Sequence, residues 1–256
     1  MALDLANVAR APGGAVSTRG QVESALKKRW HDELVADPRM HAWVLNLYRA
    51  GEHHPATVDD YFPVAHAPRG LDAQLATHRS QEAMHVRLYE RAVARLEQEV
   101  EPFPGLDVFN VAIREHTPAS FRIHDDDDAD TKTDKLAHFL AHAHFLEARI
   151  ARSLEHHVDA CERAGVLDVA KAVGLVLADE HEHARYTRAG VFDLLSRPRA
   201  LAILEVHRRG EERANLAFSA RQVRSHLARH ASSKRALSNQ VWRFCAFIME
   251  EAVHRV

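Results

Sequence analysis

Two short stretches pair a carboxylate with an imidazole at a spacing that suits metal binding: Glu82-Ala-Met-His85 and Glu180-His-Glu-His183. On a helix, residues three apart share a face, so each pair presents an oxygen and a nitrogen in one direction. A lone glutamate precedes each pair on the segment before it, Glu52 for the first and Glu147 for the second. Four carboxylates and two imidazoles in this order form the donor set of a dinuclear metal site inside a four-helix bundle. The chemistry on offer is that of two divalent cations held by oxygen and nitrogen.

Histidine is abundant, 20 of 256 residues, so metal-like spacings arise by chance and position must decide. His53, His54, His156, His157 and His230 stand among polar residues and read as surface. A third carboxylate–imidazole pair, Glu251 and His254, has no upstream glutamate to match and also reads as surface. Helical periodicity dominates the chain, and alternating β-branched runs are missing. Pro and Gly divide it into helices at 22–54 (broken at Asp37-Pro38), 71–99, 132–164, 167–196 and 200–231, with a last helix from 235 onward. A long connection follows residue 101 and carries a short helix at about 109–115.

The candidate ligands fall on the inward stripes of these helices. Leu75, His78, Glu82, His85, Tyr89 and Ala92 step by three and four, as do Val169, Val173, Val176, Glu180, His183 and Thr187. Leu136, Leu140, Ala143, Glu147, Ile150 and Leu154 make a third stripe, and Leu45, Tyr48 and Glu52 a fourth. Four glutamates thus stand where packing asks for leucine. Buried unpaired carboxylates are costly and repel one another, and two divalent ions remove both penalties. Iron and manganese accept this mixture of ligands, whereas zinc prefers four donors at one site. His78 is also on a stripe and reads as a packed core histidine.

The expected fold is all-α: a four-helix bundle of two hairpins with a long crossover (40–196) and two further helices (200–256), in one domain from residue 21. Residues 1–20 read as a disordered leader. The acidic run at 124–130 reads as a solvated loop that favours the next helix N-terminus. Bulk properties exclude several classes. A net charge of −2 gives no support to nucleic-acid binding, and no apolar run is long enough to span a membrane. Two cysteines, Cys161 and Cys245, are too few for a zinc ribbon or a rubredoxin-type iron site. They read as free buried thiols, and the expected location is the cytoplasm.

These residues resemble the ferritin-like superfamily, in particular its rubrerythrin-like and di-iron oxygenase members, over roughly residues 40–195. Ala50-Gly51-Glu52, with Tyr61 nine residues on, is similar to the first ligand helix of rubrerythrin-type proteins, and Asp179-Glu180-His-Glu-His183 to the DExxH motif of di-iron oxygenases. The resemblance implies iron, or manganese or a mixed pair. Glu52, Glu82 and His85 would serve one half, Glu147, Glu180 and His183 the other, with two glutamates bridging. It implies that Asp179 holds an imidazole across the pseudo-twofold by its N–H. Gln81 occupies the equivalent place before Glu82, and Pro55 departs from a regular first helix.

Three functions compete at this stage. One is an oxygenase or oxidase acting on a small organic substrate with dioxygen and a separate reductase as electron donor. The second is a ferroxidase or peroxide scavenger, and the third a non-redox scaffold. The two extra helices favour the first, since they can cover a cavity or build a homodimer interface. Tyr89 and Tyr186, one turn from His85 and His183, are candidate redox or hydrogen-bonding partners.

Overall fold

The computed structural model describes residues 18–58, 61–102, 109–117, 119 and 121–255. Among these residues there are eight α-helices and no strand: α1 (Thr18–Val35), α2 (Pro38–Thr57), α3 (Leu71–Arg95), α4 (Phe109–Glu115), α5 (Ala129–Ala164), α6 (Leu167–Leu194), α7 (Arg197–His230) and α8 (Ala236–Val253). Most of the expected leader lies outside the described residues, and its last three positions open α1. Among the described residues no helix is long and apolar enough to cross a membrane.

Local chemistry sets the boundaries. Asp37 caps α2, accepting from the Arg39 and Met40 amides at 2.9 and 3.4 Å, and Pro38 fills the first turn, where its missing N–H costs nothing. Asp128, within the acidic run, caps α5 by accepting from Thr131 N at 2.7 Å. Its neighbour Asp127 pairs with Lys135. Gly165 ends α5 at φ 73°, with Val166 N bonded back to Cys161 O at 2.9 Å. This left-handed stop turns the chain at once into α6. The expected helix at 71–99 stops earlier, at Arg95, because Glu97 takes a positive φ of 55°. Pro55 does not end α2, which runs on to Thr57 and keeps Glu52 helical.

The longest antiparallel contact is between α5 and α6; α2 packs on α3, and α3 on α6. Leu45, Tyr89, Val93, Leu154, Val173 and Val176 form an apolar cluster at one end of these four helices. Leu75, Leu136, Phe139, Leu140, Tyr186 and Val191 form another at the opposite end. On α3, α5 and α6 the candidate ligands lie between the two clusters in sequence, and on α2 Glu52 follows Leu45 of the first, with Tyr61 and Phe62 of the second just after the helix, so both ends of the site are plugged by hydrocarbon.

Of the appended helices, α7 joins the second cluster through Ala200, Ile203 and Leu204, while α8 packs elsewhere. Trp242 and Ala246 of α8 pack with Trp30, Trp43, Val44, Ala220 and Val223 from α1, α2 and α7. α7 also packs along α4 and α5. Gly210 is where α7 meets the end of α4: an added Cβ would strike the Thr117 side chain and come within 3.2 Å of the His116 carbonyl. Gly210→Ala is expected to destabilise the fold by about 1–3 kcal/mol through overpacking, read as a lower denaturant midpoint.

Candidate metal centre

Glu52, Glu82, Glu147 and Glu180 are 4, 3, 6 and 0 % exposed, and His85 and His183 are equally buried. The four elements α2, α3, α5 and α6 therefore bring all six sequence candidates inside. The ligand atoms of Glu52, Glu82, His85 and Glu180 lie within 4.8 Å of one another, and so do those of His78, Glu82 and His183. Glu82 belongs to both groupings, which makes them two adjacent positions. Glu147 reaches the second by Oε1, 3.6 Å from His78 Nε2.

Glu180 spans the pair. Its Oε1 lies 3.3 Å from His85 Nδ1, and its Oε2 lies 3.0 Å from His183 Nδ1. Glu82 Oε1 lies 2.9 Å from His78 Nε2 and 3.9 Å from His183 Nδ1. Glu52 approaches His85 Nδ1 at 3.6 Å.

The outer hydrogen bonds fix which nitrogens point inward. An ionised Asp179 only accepts, so Gln81 Nε2 donates to its Oδ1 at 2.8 Å and turns Gln81 Oε1 away. That oxygen accepts from His183 Nε2 at 3.0 Å. His85 Nε2 donates to the other Asp179 oxygen at 3.0 Å. Each residue before a ligand glutamate thus holds the histidine of the opposite helix, Gln81 from α3 and Asp179 from α6. With the N–H outward, Nδ1 of both rings presents a lone pair to the carboxylates. Replacing Asp179 with Ala is expected to weaken metal binding about 10–100-fold with the helix content unchanged, measured by competition with a chelator and circular dichroism.

Without a cation these atoms face one another as acceptors. His78 Nε2, Glu82 Oε1, His85 Nδ1 and Glu180 Oε1 are buried and lack a hydrogen-bond partner. Burial first, then the neighbouring carboxylates, hold Glu82, Glu147 and Glu180 above the usual carboxylate range. Burial works against a charged His85, but the adjacent Glu180 and Glu52 carboxylates outweigh it and lift its pKa to about 11. Protons stand in for positive charge that the site is built to receive. His183 moves the other way, lowered to about 4 by burial and by the His85 charge. The donor set fits two divalent ions: four negative oxygens and neutral imidazoles, with lone pairs aimed inward.

His78 is the member that sequence reasoning passed over. It stacks on His183 with ring centroids 3.5 Å apart, and its Nδ1 is 2.7 Å from the Tyr186 hydroxyl. Its place on the α3 stripe, one turn before Glu82, was the available signal. Tyr89 differs from Tyr186: its hydroxyl is buried with no partner, within electrostatic reach of Glu52 and Glu180. Phe62 packs on His78 at 4.8 Å and thickens the apolar wall.

Other expectations need correction. His157 is fully buried, not a surface residue, because it continues the α5 stripe after Leu154. Cys161 is buried, but Cys245 is only half-buried. The apolar last helix leaves Leu237, Phe244, Phe247 and Ile248 exposed. Two surface clefts, one lined by Glu115, Arg221 and Glu250 and the other by Trp43, Asn46 and Glu97, include none of the candidate ligands.

No family model, no curated protein and no solved structure matches this chain.

Proposed function

We propose that this chain is a ferritin-like, carboxylate-bridged dinuclear iron protein that uses dioxygen to oxidise or hydroxylate a small organic substrate. The observation that carries the reading is Glu180, whose two oxygens each meet a different inward-facing imidazole nitrogen among buried atoms that lack hydrogen-bond partners. Glu52, Glu82, Glu147, Glu180, His85 and His183 would hold the ions, with His78 at the Glu82 side; manganese is compatible with the same donors. The order of ligands on α2, α3, α5 and α6, with a long connection before α5, supports the ferritin-like assignment.

Reduced iron in such a site supplies the electrons that activate dioxygen. The protein's own contribution is positional. Asp179 and Gln81 keep both imidazoles in one tautomer and orientation. The two apolar clusters keep water out, which strengthens every charge interaction inside. Burial keeps Tyr89 protonated, leaving its hydroxyl free to donate to an incoming group. Tyr186 braces His78. With no cysteine-rich iron site of its own, the chain takes electrons from a separate reductase.

The test is oxygen uptake by the iron-loaded protein with a reductase and a panel of small aldehydes, amines and hydrocarbons. Uptake that depends on one organic class supports the proposal. Steady oxidation and mineralisation of excess ferrous iron, with no organic compound required, overturns it in favour of a ferroxidase. Absence of bound iron and manganese leaves the scaffold reading.

A further inference from the structure

A second buried cluster of donors lies at the α1, α2 and α5 contact. His41, His157 and Cys161 are all fully buried, and one ligand atom from each falls within 4.8 Å of the others. His157 and Cys161 sit one turn apart on α5, and His41 comes across from α2. His41 Nε2 is 3.0 Å from His157 Nε2 and 3.6 Å from Cys161 Sγ. A three-coordinate metal with bonds of about 2.0 Å to nitrogen and about 2.3 Å to sulfur holds two nitrogens roughly 3.5 Å apart and a nitrogen and sulfur roughly 3.7 Å apart. The cluster meets that geometry if the two rings part by a few tenths of an ångström.

We propose that His41, His157 and Cys161 form a mononuclear site for a soft monovalent cation, copper(I), separate from the dinuclear centre. Thiolate and imidazole select soft ions, whereas the carboxylates of the other site select hard ones. Charge decides between the soft ions. Among the described residues no carboxylate joins this grouping. One thiolate, two neutral imidazoles and copper(I) sum to zero, which a buried site tolerates; zinc(II) would leave one uncompensated positive charge. Binding forms the copper–sulfur bond as the Cys161 thiol proton leaves to solvent, and no electron is transferred.

Two further features fit this use. His157 Nδ1 lies 3.4 Å from His31 Nδ1, so His31 can accept its N–H and free Nε2 as the ligand. His31 in turn stacks on the half-buried His156, with ring centroids 6.1 Å apart. This file of imidazoles runs from the surface to the site and offers a route for the ion. Tyr48 stands over His157 at 5.4 Å and over Tyr89 at 5.7 Å, which places an aromatic pair between the two metal sites.

The experiment titrates the full, metal-free, reduced chain with copper(I) against a chromophoric copper(I) chelator, without oxygen. The wild type is expected to withdraw one equivalent, and X-ray absorption at the copper edge to show one sulfur and two nitrogen ligands. Glu82→Leu retains that equivalent, and Cys161→Ser, checked for folding by circular dichroism, loses it. No withdrawal by the wild type, equal withdrawal by a folded Cys161→Ser, or a copper spectrum without sulfur overturns the site. Displacement of the copper by an equal concentration of zinc(II) overturns its assignment to a monovalent ion. The absorption measurement needs only the wild type, so it decides even if Cys161→Ser does not fold.

Discussion

In the metal-saturated protein, lowering the pH from 7.5 to 5.5 is expected to remove a large part of the folding stability. Without metal the loss is smaller, because Glu82, Glu147, Glu180 and His85 hold protons in the fold and offset it. Six histidines outside the dinuclear centre are buried and held neutral. Burial lowers His31 to about 3, His41 to about 4, His207 to about 3 and His226 to about 4, and it pushes His142 and His157 well below the ordinary value. The sign follows from proton binding. Below about pH 6.5 the unfolded chain protonates these rings while the folded chain does not, so the unfolded state gains. Their stabilisation is complete above the unfolded pKa and is lost as pH falls toward the folded values. Each neutral histidine contributes about 1.4 kcal/mol per pH unit in that window. Six of them approach roughly 8 kcal/mol per unit, comparable with the 5–15 kcal/mol total of a typical domain. Denaturant unfolding of the metal-saturated protein at pH 7.5, 6.5 and 5.5 checks this, with the loss concentrated below 6.5. A change under about 1 kcal/mol across the whole range would mean that these rings are not held neutral.

The second large effect concerns the centre itself. Glu82→Leu is expected to abolish metal binding while making the metal-free protein more stable. Glu82 lies among Glu52, Glu180 and Glu147, and burial plus those three charges force it toward its protonated form. Leucine has nearly the same volume and suits the apolar stripe on which Glu82 stands. Removing one of four mutually repelling buried carboxylates relieves a cost that no cation offsets in the metal-free protein. The wild type has the opposite response to metal, gaining about 4 kcal/mol when the free ion is at a thousandfold its Kd. The two stability curves therefore cross as metal is added, the variant leading without it and the wild type leading with it. Thermal unfolding of both proteins with and without ferrous iron, under anaerobic conditions, reads this directly. A less stable metal-free variant would show that Glu82 serves packing or hydrogen bonding and not a cation.

The same stripe logic explains what could be read in advance. Glu82, His85, Glu147, Glu180 and His183 occupy leucine positions on long helices, and periodicity exposes such residues because every neighbour in the stripe is apolar. The short α4 was visible between the proline-rich connection and the acidic loop. Glu52 was harder, since Pro55 suggested a break. Pro55 removes its own backbone donor and crowds the carbonyl one turn back, yet α2 continues for another half turn. His78 and His157 lie on the inward stripes, but a histidine there reads equally as a packed core residue or as surface until its partners are known. His157 follows a polar-looking His156, and the pair straddles the boundary between the buried and the half-exposed face of α5. Cross-helix partners were beyond periodicity altogether. That Gln81 reaches His183, or that Cys161 meets His41, depends on helix rotation and offset, which packing sets between helices and not within them. The last helix shows the same limit, for its apolar content is high on both faces and only Trp242 and Ala246 find a core.

The most direct test is an anaerobic titration of the metal-free chain with ferrous iron, followed by X-ray absorption at the iron edge. A dinuclear centre built on Glu82 and Glu180 takes up two irons per chain, with an iron–iron separation of about 3.5–4 Å and only oxygen and nitrogen ligands. A single iron, no iron, or an uptake that Glu82→Leu leaves intact would contradict it.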